Sequence, residues 1–362
     1  LHYLRNQMGD KAFFSALNLY LERFAFKTAE VHNLRMAFEE VTGHDYTPFF
    51  DQWYMGSGHP TLLLEVIEND SLSGLVVDQS KSSLFLTRLP VRFYAENGYI
   101  DSVFDISYYQ DTLPIPGASS YQLLQPNPEY TIPGIFQIDR TPEDYRVQFW
   151  KGTHIRDKVE VLTYLAQSDS LDTAWLPIIK HASSHSHKEI RKRAIGLGAK
   201  TFITKDKVEL QRLVRAGLTD KHSHVRKAAV QVSSSLFDGD ELSAIYLTSF
   251  ADSSYGVMVA ALTGLGKRFP ELALPEARAL VDSEVKSLQL AAYEIISIYG
   301  QAEDRNYFLK LNKNQLKFPN WQLLSHYIAF VERFPSSANV ESLVLVLENI
   351  EASYKPYGTF FQ

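Results

Sequence analysis

Cysteine is absent from this 362-residue chain, which excludes disulfide cross-links and thiolate chemistry. Basic residues are in the minority. Lys and Arg number 36 against 42 Asp and Glu, a net charge of −6, so no overall basic field favours a nucleic-acid partner. No apolar run approaches the ~20 residues needed to span a membrane. A Gly-x-Ser-x-Gly element and a Gly-rich phosphate loop are also missing, which leaves serine-hydrolase and nucleotide chemistry without a carrier. What remains, 45% hydrophobic and 22% charged, is the composition of a globular protein with length for two or three domains.

The chain changes character twice. Residues 1–60 are helical in pattern. Asp10 is placed to cap a helix with the apolar stripe Phe13, Phe14, Leu17, Leu21 and Phe24. Thr28 opens a second helix carrying Val31, Leu34, Met36, Ala37 and Val41, with Gly43 suited to the position just past its end. Thr47-Pro48 starts a third, in which Phe49, Phe50 and Trp53 share one face before Gly56, Gly58 and Pro60 end it. Three such helices bury too little to stand alone, so exposed apolar surface is expected unless another segment covers them. Leu1, Leu4 and Met8 already have helical spacing, which implies a piece of a longer protein, with any export signal lying upstream.

Residues 61–150 hold seven of the fifteen prolines and read as strands joined by tight turns. Leu89, Val91, Phe93 and Ala95 alternate with polar or edge positions, and Asn97-Gly98 follows as a hairpin turn with a return strand from Tyr99 to Ile106. Tyr121–Leu124 and Tyr130–Ile138 supply further strands, so a small antiparallel β-sandwich is expected.

Residues 151–362 are helical and repeat. Ile190 to Ala194, Val225 to Ala229, Val257 to Ala261 and Leu288 to Ala292 each place an alanine four positions after an apolar residue, at intervals of 35, 32 and 31. That period is the mark of an α-solenoid of HEAT-like type, in which small alanines allow close helix approach. The fold class is therefore multidomain α+β: terminal helices of a larger domain over 1–60, a β-sandwich over 61–150, and a HEAT-like superhelix over 151–362.

Particular motifs carry a resemblance. Gly43-His44-Asp45, Phe49-Phe50-Asp51-Gln52-Trp53 and Ser57-Gly58-His59-Pro60 resemble the end of the catalytic domain in the M1 family of zinc aminopeptidases. Gly9 to Phe14 and Phe38 to Gly43 resemble the two preceding helices of that thermolysin-like domain. The resemblance implies the same domain order and a parent that binds zinc and removes N-terminal residues from peptides. It implies a missing N-terminal half as partner, and an extracytoplasmic (periplasmic or secreted) location. Such a parent needs a His-Glu-x-x-His helix, with two His on zinc and the Glu as general base. That motif and the family's Gly-x-Met-Glu-Asn loop occur nowhere here, and Tyr3 lies too late to be its transition-state tyrosine. No catalytic residue is expected in this chain, and none that binds the zinc; taken alone the chain is expected to be inactive.

Two clusters outside that pattern are candidates for other roles. His181 and His185, four apart, could share a helix face as zinc ligands, and His187, His222 and His224 lie in comparable turns; the plainer reading is solvated loop tips. Arg191 and Lys192, with Arg226 one repeat later, could attract a peptide's C-terminal carboxylate or acidic side chains, against the plainer reading of a solvated helix edge. A second class of function is a non-catalytic peptide- or protein-binding module built on the solenoid, a pseudopeptidase.

Overall fold

The computed structural model describes residues 1–69, 72–115, 121–168, 171–197, 207–311 and 321–354. The chain forms two compact units, Leu1–Val161 and Leu162–Gln362. The first is mixed α and β, and the described part of the second is helical. Among the described residues no helix is long and apolar enough to cross a membrane.

The first unit opens with α1 (His2–Met8), α2 (Asp10–Arg23) and α3 (Val31–Thr42). The cap of α2 is Gly9, at φ 79°, rather than Asp10. Asp10 instead accepts from Arg5 Nε and Nη2, each at 2.8 Å. Helix α3 starts two residues beyond the expected Thr28, because Asn33 accepts the Glu30 backbone N–H at 2.8 Å and fixes the first turn there. Gly43 closes it in the left-handed region, φ 73°, as its position implied. Helix α4 (Thr47–Phe50) carries Pro48 in its first turn. Its start is held by Asp45, whose carboxylate accepts the Thr47 N–H at 2.8 Å. It runs directly into a π-helical turn, Asp51–Met55.

Seven described strands follow: β1 (Thr61–Asn69), β2 (Leu72–Asp78), β3 (Thr87–Ala95), β4 (Gly98–Ile106), β5 (Gln110–Pro114), β6 (Leu123–Pro126) and β7 (Ile135–Ile138). They form two sheets, ordered β5-β2-β1-β7 and β4-β3-β6. Period-two alternation sends Leu62, Leu64, Leu75 and Val77 of one sheet and Leu89, Val91 and Phe93 of the other into one shared core. The pairing is not purely antiparallel, since β7 runs parallel to β1 with Thr61 opposite Ile135. A parallel neighbour requires a crossover rather than a hairpin, and β7 arrives after the long return from β6. The β3–β4 turn centres on Glu96-Asn97, one residue earlier than expected, with Gly98 supplying the positive φ of 103°. The expected strand from Tyr130 shrinks to β7. Asn127 (φ 47°) and Tyr130 (φ 52°) are left-handed, and the Asn127 side chain ties down the Thr131 and Ile132 amides. Helix α5 (Pro142–Lys151), capped by Thr141, and the start of α6 (Ile155–Gln167) complete the unit.

In the second unit, α7 (Leu176–Ser183) packs on α8 (Lys188–Gly196), α9 (Lys207–Leu218) on α10 (Ser223–Val232), α11 (Gly239–Phe250) on α12 (Tyr255–Arg268) and α13 (Pro270–Ala279) on α14 (Lys286–Tyr299). The second members pack in succession, α8 on α10, α10 on α12 and α12 on α14. The residues matched by the repeat spacing, Ile190, Val225, Val257 and Leu288 with Ala194, Ala229, Ala261 and Ala292, are all buried. Further on, α15 (Arg305–Leu309), α16 (Trp321–Arg333) and α17 (Ser337–Tyr354) extend the unit, with α16 against α14. Phe308 links α15 to α16 by stacking on Tyr327 at 5.2 Å and meeting Phe330 at 4.7 Å.

Candidate functional surfaces

The π-helical turn divides the three aromatics expected on one face. Phe50 is buried in a small helical core with Leu4, Phe13, Ala16 and Phe38, whereas Trp53 packs against the sandwich core and Phe49 touches both. Tyr3 from α1 joins the sandwich core. Its ring lies 5.2 Å from Trp53 and 5.8 Å from Phe49, and its hydroxyl hydrogen-bonds Thr87 Oγ1 at 2.8 Å. Gln52 closes the seam as an extra strand residue would. Its Nε2 donates to the Leu86 carbonyl and its Oε1 accepts the Leu86 N–H, both at 2.9 Å. The helices are thus fastened to the sandwich through α1 and α4, while α2 and α3 lean on little.

Both helices leave large apolar side chains exposed. Phe14 and Leu21 on α2 are 51% and 64% exposed, and Met36 and Val41 on α3 are also open. Phe26, in the turn after α2, is fully exposed at a left-handed φ of 57°, a conformation costly for a bulky side chain. Of the apolar residues on α2, only Phe13 and Ala16 are buried. A helix pair so rich in large side chains and so sparsely covered is built for a further surface.

The candidates of the second unit lie in a recurring turn. Three residues before the start of each second-member helix, a side chain accepts the backbone N–H two positions on. His185 Nδ1 does so for His187 at 3.0 Å, Asp220 for His222 and Asp252 for Ser254 at 2.8 Å, and Ser283 for Val285 at 3.2 Å. Arg191 and Arg226 serve these turns. Arg191, 7% exposed, donates to the His185 and Ser186 carbonyls at 2.8 Å and to both oxygens of Asp220 at 2.7 and 3.0 Å. Arg226 donates to the Asp220 carbonyl at 2.8 Å and to both oxygens of Asp252 at 2.6 and 2.8 Å. Both guanidiniums are therefore committed to this chain, and Lys192 pairs with Glu189 at 2.8 Å. The hydrogen bonds from the arginines hold the Asp220 and Asp252 carboxyls below the usual range.

Helix α7 ends at Ser183, so His185 lies beyond it and does not share a helix face with His181. The two rings meet edge to face at 6.4 Å. Among the described residues no three His, Asp or Glu side chains converge as metal ligands. Sequence reasoning missed the aspartates. The available signal was their placement, since Asp220 and Asp252 both stand five residues before a matched apolar residue, Val225 and Val257.

No protein-family profile matches the chain. A stretch of 69 residues is 32% identical to aminopeptidase N of Lactococcus lactis subsp. lactis, covering 19% of this chain and 8% of that protein. The fold is similar to that of Legionella pneumophila aminopeptidase A in its complex with aspartic acid. The TM-score is 0.64 at 10% identity, over 91% of this chain and 46% of the other. This chain thus spans less than half the length of either relative.

Proposed function

We propose that this chain is the C-terminal part of an M1-type zinc aminopeptidase, supplying cavity walls and substrate selection rather than catalytic groups. The observation that carries this reading is the number of large apolar side chains left exposed on α2 and α3, Phe14 and Leu21 on the first and Met36 and Val41 on the second. In the proposed parent, the preceding half of the peptidase domain covers these residues and brings the zinc ligands, the general base and the peptide site. The two aminopeptidase similarities support the assignment, as does the order of terminal helices, sandwich and helical repeats, here read as HEAT-like. Zinc in such a parent would polarise the scissile carbonyl and activate water. Within the first unit, Tyr3, Gln52 and Trp53 join the opening helices to the sandwich.

Amide hydrogen exchange tests the reading. In this polypeptide alone, α2 and α3 should exchange quickly, because few buried contacts hold them. In the polypeptide extended upstream, the same amides should be strongly protected. Equal exchange in the two forms would remove the reason for assigning a covering half.

A further inference from the structure

One stretch of the second unit runs against the charge of the whole. Between residues 181 and 230 the sequence has twelve Lys and Arg against four Asp and Glu, in a chain whose net charge is −6. Five of the eleven histidines fall in the same window. The structure gathers part of this charge at one place. Arg191 clamps the turn before α8 to the turn before α10, bonding His185 and Ser186 in the first and Asp220 in the second. Asp220 is consumed in doing so, because Arg191 takes both its oxygens and the His222 N–H adds a further bond.

What the clamped turns present outward is cationic. Lys188 opens α8 and Lys221 precedes His222, and both ammonium groups are exposed. Among the described residues neither pairs with a carboxylate, whereas nearby Lys192, Arg193 and Arg212 each do. The imidazole of His222 sits in their field. Its proton affinity is lowered by loss of hydration and then by the charges of Arg191, Lys188 and Lys221, with Asp220 opposing them. It is the Arg191 bonds to Ser186 and Asp220 that bring the turns carrying Lys188 and Lys221 together. The backbone under this patch is tied by the recurring turn bonds and the buried Arg191–Asp220 pair.

We propose that the edge formed by the turns before α8 and α10 docks an acidic segment of another polypeptide, with Lys188 and Lys221 as its principal contacts. Exposed cations on an edge tied by hydrogen bonds, in a chain that is otherwise acidic, attract a short local anion while the rest of the surface repels a long one. A nucleic acid fits less well. Its extended phosphate chain meets the net negative charge, and neither turn nor the helices they open (181–197 and 219–232) carry a Phe, Tyr or Trp on which bases would stack. The inference does not depend on the peptidase reading, because binding is measured without any activity.

The test is fluorescence anisotropy with labelled octaglutamate and, separately, a single-stranded oligonucleotide of equal charge. The proteins are the wild type, Lys188→Glu/Lys221→Glu, and, as a control in the first unit, Lys11→Glu/Lys27→Glu. Lys188 is the first residue of α8, where a carboxylate suits the helix dipole, so the reversal does not threaten the fold; circular dichroism checks this. A milder Lys188→Gln/Lys221→Gln pair gives an intermediate point. Octaglutamate should bind the wild type and weaken about tenfold on the Lys188/Lys221 reversal, but less than about twofold in the control. The signal should fade between about 50 and 200 mM salt. No binding to the wild type, or equal weakening by both reversals, overturns the proposal. Tighter binding of the oligonucleotide, dependent on Lys188 and Lys221, overturns it in favour of a nucleic-acid surface.

Discussion

Replacing Asp220 by alanine should cost far more than its position in a turn suggests. Its carboxylate takes two charged hydrogen bonds from Arg191, at 2.7 and 3.0 Å, and one from the His222 N–H at 2.8 Å. The side chains are 9% and 12% exposed, so the substitution leaves a largely buried guanidinium without its counter-charge. Breaking a buried pair from one side costs about 3–5 kcal/mol. Arg191 keeps the His185 and Ser186 carbonyls and some solvent, which places the loss at the lower end, about 3 kcal/mol. For a unit of this size that corresponds to roughly 6–12 °C in the midpoint of helix melting, read by calorimetry or far-ultraviolet circular dichroism. Arg191→Met should cost about 2 kcal/mol, since Asp220 still caps its turn, and the double variant should reveal a coupling near 2 kcal/mol. The pH dependence has a fixed sign. Arg191 lowers the Asp220 carboxyl below its ordinary value, so its stabilisation is complete above the unfolded pKa and is lost as pH falls through the folded one. The deficit of Asp220→Ala should therefore be full at neutral pH and shrink below about pH 4. A coupling under about 0.5 kcal/mol would refute the claim that the pair clamps the repeats.

Other positions give independent checks. Trp53→Ala removes a half-buried ring lying 5.2 Å from Tyr3 and 5.3 Å from Phe85, and should destabilise the first unit by about 2–3 kcal/mol in urea unfolding. Tyr3→Phe, which leaves the Thr87 hydroxyl without its partner, should cost about 1 kcal/mol in the same assay. Gly264→Ala would drive a methyl into the Tyr246 ring and should cost about 1–3 kcal/mol. Gly256→Ala on the same helix meets only the side chains of Lys227 and Ser254, each at an ordinary 3.9 Å, and should stabilise by about 0.5 kcal/mol, so the pair separates packing from helix propensity. Leu21→Gln, at a side chain 64% exposed, should change unfolding by less than about 0.5 kcal/mol while reducing dye binding to exposed apolar surface.

Periodicity made the architecture readable. Alternation at Leu89, Val91 and Phe93 located β3, and Gly43 marked the end of α3, because each reflects burial or backbone freedom settled within a few residues. The repeat was legible because a buried alanine at each helix contact leaves a signature at fixed distance. Where local signals competed, the sequence was ambiguous. Asp10 and Thr28 look like caps, yet Asp10 is drawn to Arg5 and Thr28 is bypassed when Glu30 and Asn33 organise the start of α3. The π-helical turn could not be read at all, since one extra residue per turn shifts Trp53 away from Phe50 without altering composition. Nor was the fate of Arg191 and Arg226 visible. Their partners lie 29 and 26 residues away, in turns brought close only by stacking of the repeats.

Aminopeptidase assay of two polypeptides tests the central claim most directly: this chain alone, and the same chain with its upstream sequence, each supplied with zinc and an aminoacyl-nitroanilide substrate. The account predicts turnover from the longer form, abolished by chelation, and none from this chain. Zinc-dependent turnover by residues 1–362 alone would contradict it, as would a longer form that is silent although folded.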